Sequence, residues 1–267
     1  MILNKLSMTA AAIALSAGAA LANTPPAKAP KDPLDSVMWD NMVQRFFPGG
    51  EVIFDNRVKV LIPAAAEDQF FVPVTVDASG LHGVEEIVVV ADLNPIPHVL
   101  TYKPESAAPF IGFRLKVEQS TPIRAGVRTS DGKWHMGGAV IDAAGGGCSA
   151  PAAAHANPNW AATLGQTRAQ VRREDADTAR ITIRMRHPMD TGLANNIPAF
   201  YLSRMTMKAD DGRAIGTLET FEPVSENPTF TLKAKVASAD RTLAFDGRDN
   251  EGNSYDFALP VPPESGL

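Results

Sequence analysis

The chain has 267 residues, with 25 Lys and Arg against 30 Asp and Glu, a formal net charge of -5 and a single cysteine, Cys148. Cations scattered through a net-acidic sequence form no basic tract for a nucleic-acid backbone, and one cysteine excludes a disulfide framework. The apolar run at Met8 to Leu21 is too short to span a bilayer and no other run approaches 18 residues, so no membrane insertion is expected.

Residues 1–22 have the layout of a cleavable secretory signal: Lys5, the run of Ala and Leu, then Ala20-Leu21-Ala22 before Asn23. Export would leave about 245 residues, enough for two ordinary domains. A Pro-, Ala- and Lys-rich spacer follows at 23–33. One short helix is expected next, capped by Asp32, with Pro33 in its first turn and Asp35 near the positive end of its dipole. Val37, Met38, Met42, Val43, Phe46 and Phe47 form its apolar stripe, and Pro48-Gly49-Gly50 ends it.

Beyond Gly50 the periodicity becomes that of strands. Runs rich in Val, Ile, Phe and Thr fall at Val58 to Ile62, Phe70 to Val76, Glu86 to Ala91, Phe110 to Val117, Ile123 to Thr129 and Lys133 to Ile141. They are separated by turn signals such as Asn94-Pro95, Pro104 and Ser130-Asp131-Gly132, so residues 34–142 read as an antiparallel sandwich. Residues 143–163, mostly Ala, Gly, Pro and Asn, read as a linker. Strands resume at Ile181 to Met185, Tyr201 to Lys208, Ala214 to Phe221, Thr229 to Val236, Thr242 to Phe245 and Tyr255 to Val261. Hairpin turns are expected at Asp210-Asp211-Gly212 and Asn250-Glu251-Gly252-Asn253. The fold expected is all-β: one short N-terminal helix and two immunoglobulin-like antiparallel β-sandwiches, the second at 164–262, joined by a Gly/Ala-rich linker.

Cys148 is the chemically distinctive residue. An unpaired cysteine in an exported chain points to an intermolecular bond or a reactive thiol. Gly145, Gly146 and Gly147 before it and Ser149 after it remove side-chain bulk, so a flexible arm with an exposed thiol is expected; six residues from Asp142 could reach roughly 20 Å. Such an arm suits a carrier. A nucleophilic enzyme instead needs its cysteine held against a base, and nothing in the sequence fixes His155, the nearest histidine, in that place. No close pair of ligands among Cys148 and His82, His98, His135, His155 and His187 suggests a metal, no acidic run matches a calcium loop, and no phosphate-cradling glycine motif precedes a helix. Neither metal nor cofactor is expected. His187 to Gly192 reads first as a strand end turned by Pro188 and Gly192, the alternative being support of a domain interface or partner surface, and Asn94-Pro95-Ile96-Pro97 reads as a rigid connection.

Residues 34–150 resemble SoxY, the carrier subunit of a periplasmic sulfur-oxidation system. The resemblance rests on the leading helix, Pro63-Ala64-Ala65-Ala66-Glu67-Asp68, Val72-Pro73-Val74, Asn94-Pro95-Ile96-Pro97 and the closing glycines with Cys148. Residues 165–262 resemble its partner SoxZ through His187-Pro188-Met189-Asp190-Thr191-Gly192, Ser225-Glu226-Asn227-Pro228 and Asp249 to Tyr255. This implies a non-enzymatic periplasmic carrier that bears a thiosulfate- or sulfane-type intermediate on Cys148 and presents it to periplasmic redox enzymes. The SoxY-like and SoxZ-like pairing, made by two chains in that family, would here be intramolecular. The motif departs in one respect: the family's Gly-Gly-Cys-Gly-Gly is a C-terminal tail, whereas here Ser149-Ala150-Pro151 follows and the chain continues. The fused arrangement also resembles SoxYZ-like carriers associated with pyrroloquinoline-quinone dehydrogenases, which leaves an alternative: an accessory module for such a dehydrogenase or a c-type cytochrome, without covalent cargo.

Overall fold

A computed structural model describes residues 29–237 and 240–263. The expected signal peptide and most of the spacer lie outside them. The helix, α1, spans Trp39–Phe46. Seventeen strands follow: β1 Val52–Phe54, β2 Lys59–Leu61, β3 Val72–Asp77, β4 Val84–Ala91, β5 His98–Lys103, β6 Ala107–Leu115, β7 Thr121–Thr129, β8 Trp134–Ile141, β9 Thr167–Arg173, β10 Thr178–Met185, β11 Asp190–Thr191, β12 Ala199–Phe200, β13 Leu202–Ala209, β14 Ala214–Thr220, β15 Thr229–Lys235, β16 Thr242–Asp249 and β17 Ser254–Pro260.

The helix starts later than its sequence signals suggest. Asp32 does not cap it; its carboxylate accepts the Leu34 and Ser36 amides and pairs with Arg124 at 2.6 Å, holding the preceding turn against the sheet. Arg124 also reaches Asp92 at 2.9 Å, and its guanidinium lies 4.4 Å above the Trp39 ring. Met42, Val43 and Phe47 are buried as their spacing requires, but Val37 precedes the helix and is 91% exposed. Trp39, Met42, Val43 and Phe47 pack on Val52, Val88, Val90, Trp134 and Met136. The helix thus covers the outer face of the sheet, so both faces of β4 are buried from Ile87 onward and its sequence reads as a continuous apolar run.

The strands build the expected all-β sandwich architecture, with the two halves joined edge to edge. One sheet has nine strands in the order β1-β8-β7-β4-β5-β14-β13-β16-β17; the facing sheet has six in the order β2-β3-β6-β15-β10-β9. Two antiparallel seams carry the sheets across the halves. Leu218 pairs with Tyr102 between β14 and β5, and Leu232 with Ile111 between β15 and β6. A single apolar core runs through both halves, from Val74, Ile87 and Ile111 to Ile181, Phe230 and Phe245. Each half therefore covers sheet edges that the other would leave with unpaired N–H and C=O groups. Strand β10 alternates buried Ile181, Ile183 and Met185 with wetter Thr182 and Arg184, as its period-two pattern requires. Strands β1, β5 and β9 carried no clear signal: β1 is three residues long, and β9, with three arginines, is an edge strand with one wet face.

Candidate functional site

The β6–β7 connection, Lys116 to Ser120, forms the floor of the site. Asn94, from the β4–β5 connection, braces it: its amide Nδ2 donates to the Lys116 carbonyl and its Oδ1 accepts the Glu118 amide, both at 2.9 Å. After β8 the chain makes an isolated bridge at Asp142 and then folds back over this floor in bends and turns. The Ala66 amide donates to the Asp142 carbonyl at 2.8 Å, Gly146 donates to the Glu118 carbonyl at 3.2 Å and Gly147 to the Val117 carbonyl at 3.1 Å. The glycines are needed for close approach. A Cβ at Gly147 would meet the Gln69 and Val117 carbonyl oxygens at 2.4 and 2.5 Å, and Gly145 and Gly146 have φ of 102° and 87°.

Cys148 is correspondingly held, in place of the loose, exposed thiol expected from its neighbours. The residue is 1% exposed, and its Sγ lies 3.6 Å from the Lys116 carbonyl. One carboxylate holds the arm from the N-terminal half: Glu118 accepts the Cys148 amide at 2.9 Å, the Ser149 amide at 3.0 Å and the Ser149 hydroxyl at 2.9 Å. The C-terminal half holds it from the other side, through the Thr191 hydroxyl, which donates to the Cys148 carbonyl at 2.6 Å. Polar satisfaction and the fit of the glycines explain this placement, neither of which a Gly-rich composition reveals.

The electrostatics keep the thiol protonated. Burial pushes Cys148 up to about 12; the nearby Lys116 ammonium opposes this and the Glu118 carboxylate reinforces it. Lys116 is itself buried, 6% exposed, with its Nζ donating to the Met189 carbonyl. Burial brings it down to about 8, against the pull of the Asp190, Glu226 and Glu222 carboxylates and of Cys148 only where that thiol is ionised. At neutral pH the pair is therefore a neutral thiol beside a charged ammonium. The reactive thiolate is scarce while the arm is seated.

The linker after Cys148 is also organised, with short 3₁₀ turns at Ala153–Ala156 and Trp160–Thr163. His155 is fixed by Asp190 at 2.9 Å and packs edge-on to Trp160, but it does not touch the thiol. His187 is buried within the C-terminal half, its ring 4.5 Å from that of Phe200 and edge-on to Tyr255. It is 2% exposed, its Nδ1 accepts the Met189 amide at 3.1 Å, and its Nε2 has no hydrogen-bond partner among the described residues. Burial lowers it to about 4 despite Asp249, which lies 3.8 Å away. Among the described residues no group of three His, Cys, Asp or Glu side chains gathers as a metal site. Nor is any described helix long and apolar enough to cross a membrane.

Of the residues singled out from sequence, Gly145, Gly146, Gly147, Cys148 and Ser149 come together in this groove. Lys116, Glu118 and Thr191 were missed. Lys116 shares the otherwise apolar run Phe110 to Val117 with a second cation, Arg114, so nothing singled it out, and Thr191 lay within a motif read as a turned strand end or an interface; nothing distinguished Glu118 from any surface carboxylate.

Residues 43–148 match the family model of sulfur oxidation protein SoxY, and residues 168–259 that of sulphur oxidation protein SoxZ. Among solved structures, the chain is similar to the sulfur carrier protein SoxY from Chlorobium limicola f thiosulfatophilum, at 20% identity over 40% of this chain and 96% of that one, with a TM-score of 0.35. Hypothetical protein PH1083 from Pyrococcus horikoshii OT3 is similar at 13% identity over 36% and 85%, with a TM-score of 0.25. The Parabacteroides merdae β-glucuronidase is similar at 11% identity over 79% and 23%, with a TM-score of 0.20. No curated protein matches the chain. With a SoxY domain followed by a SoxZ domain in one polypeptide, the chain belongs to the SoxY and SoxZ sulfur-oxidation families as a fused SoxYZ-like protein.

Proposed function

We propose that this protein is a periplasmic covalent carrier that holds a sulfur-containing intermediate on Cys148 and presents it to partner redox enzymes, without catalysing turnover itself. The observation that carries this reading is the position of the only cysteine. It is the last residue of the SoxY match, in a polar latch to which both halves contribute. Loading with thiosulfate joins the Cys148 sulfur to the sulfane sulfur through a new S–S bond. The thiol proton passes to solvent, and two electrons pass to an acceptor such as a c-type cytochrome on the partner. Seated, the thiol is too buried and too weakly acidic to react. Loading and delivery therefore require residues 143–152 to leave the groove, breaking the contacts to Glu118 and Thr191.

The burial of the thiol favours a second reading, an accessory module for a periplasmic quinoprotein dehydrogenase or cytochrome, and one experiment separates the two. Protein purified from its native compartment without reductant is taken for intact-mass analysis. The carrier reading expects a sulfane, thiosulfonate or related adduct localised to Cys148. A consistently unmodified thiol, with partner-dependent oxidation unchanged in Cys148→Ser, establishes the accessory reading instead.

A further inference from the structure

Arginines scattered along the sequence are gathered by strand pairing on the solvent face of the six-stranded sheet. Arg184 on β10 lies directly opposite Arg168 on β9, and Arg180 opposite Arg172. Like charges directly opposite one another weaken a strand pair. At the β9–β10 turn that cost is offset, because Glu174 pairs with Arg180 at 2.7 Å and with Lys233 at 3.3 Å. At the other end it is not. Arg168, Arg184 and Arg186 line a concavity of about 180 Å³ with Gln166, and none of the three has an ion-pair partner among the described residues. Arg114, exposed on β6 of the same sheet, is likewise unpaired.

Charge on an exposed edge strand guards against edge-to-edge pairing, which accounts for arginines on β9. It does not account for Arg184 and Arg186, on and just beyond the interior strand β10, or for Arg114. The uncompensated end is also the end that holds Cys148. Arg186 leads directly into His187 to Thr191, whose last hydroxyl holds the Cys148 carbonyl, and Arg114 precedes by two residues the Lys116 carbonyl beside Sγ. Arg186 further lines a cleft of about 250 Å³ with Ala153, Ala154 and Trp160, on the chain that follows the arm; Glu226 is the one carboxylate there. In a molecule of net charge -5, a local cationic face beside the reactive residue steers an oppositely charged partner and fixes its register.

We propose that this arm-proximal end of the six-stranded sheet, centred on Arg168, Arg184, Arg186 and Arg114, docks an acidic protein surface. That this surface belongs to an enzyme attending Cys148 rests on the carrier reading; the docking itself does not. The arginines are exposed and spread over β9, β10 and, beyond the intervening β15, β6, in a sheet whose strands lie about 5 Å apart, which suits several carboxylates on a broad surface better than one enclosed small anion.

Poly-L-glutamate serves as the carboxylate-bearing probe, titrated into the full chain at low and physiological salt, with phosphatidylglycerol vesicles and sulfate as competing anions. Arg168→Glu/Arg184→Glu/Arg186→Glu is expected to lose affinity about tenfold or more. Arg204→Glu/Lys208→Glu/Arg248→Glu, which reverses the same number of charges on the nine-stranded sheet, is expected to lose about twofold or less. Arg→Gln at the first three positions removes the cross-strand repulsion and serves if the Glu variant does not fold. Cys148→Ser is expected to bind as the parent does, so a missing adduct sinks the carrier reading without touching this one. Equal losses in the two triple variants, no loss in the first or in the Gln variant, no binding of polyglutamate at low salt, or binding of vesicles or sulfate in its place would each overturn the proposal.

Discussion

Replacing Glu118 by Ala should release the Cys148 arm and make the thiol reactive. Seated, the thiol is lifted from an ordinary value of 9.0 to about 12, which lowers its thiolate fraction at neutral pH about 10³-fold. Reaction with a small disulfide such as DTNB therefore runs through the open arm, at the rate of a free thiol multiplied by the fraction open. Glu118 accepts three hydrogen bonds from Cys148 and Ser149. Taken together, and discounted for the solvent that reaches Ser149, these are worth about 3 kcal/mol, so their loss raises the open fraction about 100-fold. Ser149→Ala removes one of the three and should raise the rate only about fivefold. The assay is the DTNB rate from pH 6.5 to 9, with an unstructured peptide of residues 143–153 as the free-thiol reference. A parent rate equal to that of the peptide, or a Glu118→Ala rate within about twofold of the parent, would refute the latch.

Gly147→Ala should have the same consequence by steric means, because its Cβ has no room between the Gln69 and Val117 carbonyls; unchanged hydrogen-exchange protection of the Cys148 amide would contradict this. Arg124→Met should destabilise the protein by about 3 to 5 kcal/mol in urea unfolding, since Asp92 is left buried and unpaired, and adding Asp92→Asn should recover much of the loss. His187, held neutral by burial with its value lowered to about 4, binds its proton more readily unfolded than folded between about pH 6.5 and 4. Stability should thus fall as pH drops through that window, by up to ~3 kcal/mol, and His187→Gln should flatten that part of the profile. In the alkaline range two effects oppose. The lowered Lys116 adds stability as pH rises from about 8 to 10.5, while the raised Cys148 removes it from 9 to about 12, so Cys148→Ser should steepen the rise between pH 8 and 10.5 in urea titrations.

Much of the fold was legible because its signals are local. The alternation of Ile181, Ile183 and Met185 with Thr182 and Arg184 identifies a strand with one wet face, and Gly212 and Gly252, with φ of 81° and 90°, close the hairpins where their turn sequences lie. The start of the helix was misread because Asp32 is as good a hydrogen-bond acceptor for a preceding turn as for a helix, and only Arg124, 92 residues away, decided between the two. Strand β9 escaped because its inward residues Thr167, Ala169 and Val171 are small or only weakly apolar and half-buried at the sheet edge, so their alternation with Arg168, Gln170 and Arg172 is faint.

By itself the sequence determined the all-β class, the division into a SoxY-like and a SoxZ-like half and the singling out of Cys148, since each rests on residue type, spacing or a motif contained in one stretch of chain. The tertiary structure alone decided that the sheets run unbroken across the halves, that the glycines fit a groove instead of loosening an arm, and that the thiol is buried beside Lys116. It also decided that arginines dispersed in sequence meet on one face. These are outcomes of pairing between segments far apart in the chain. Register, burial and long-range electrostatics depend on the partner as much as on the residue, and no local pattern encodes the partner.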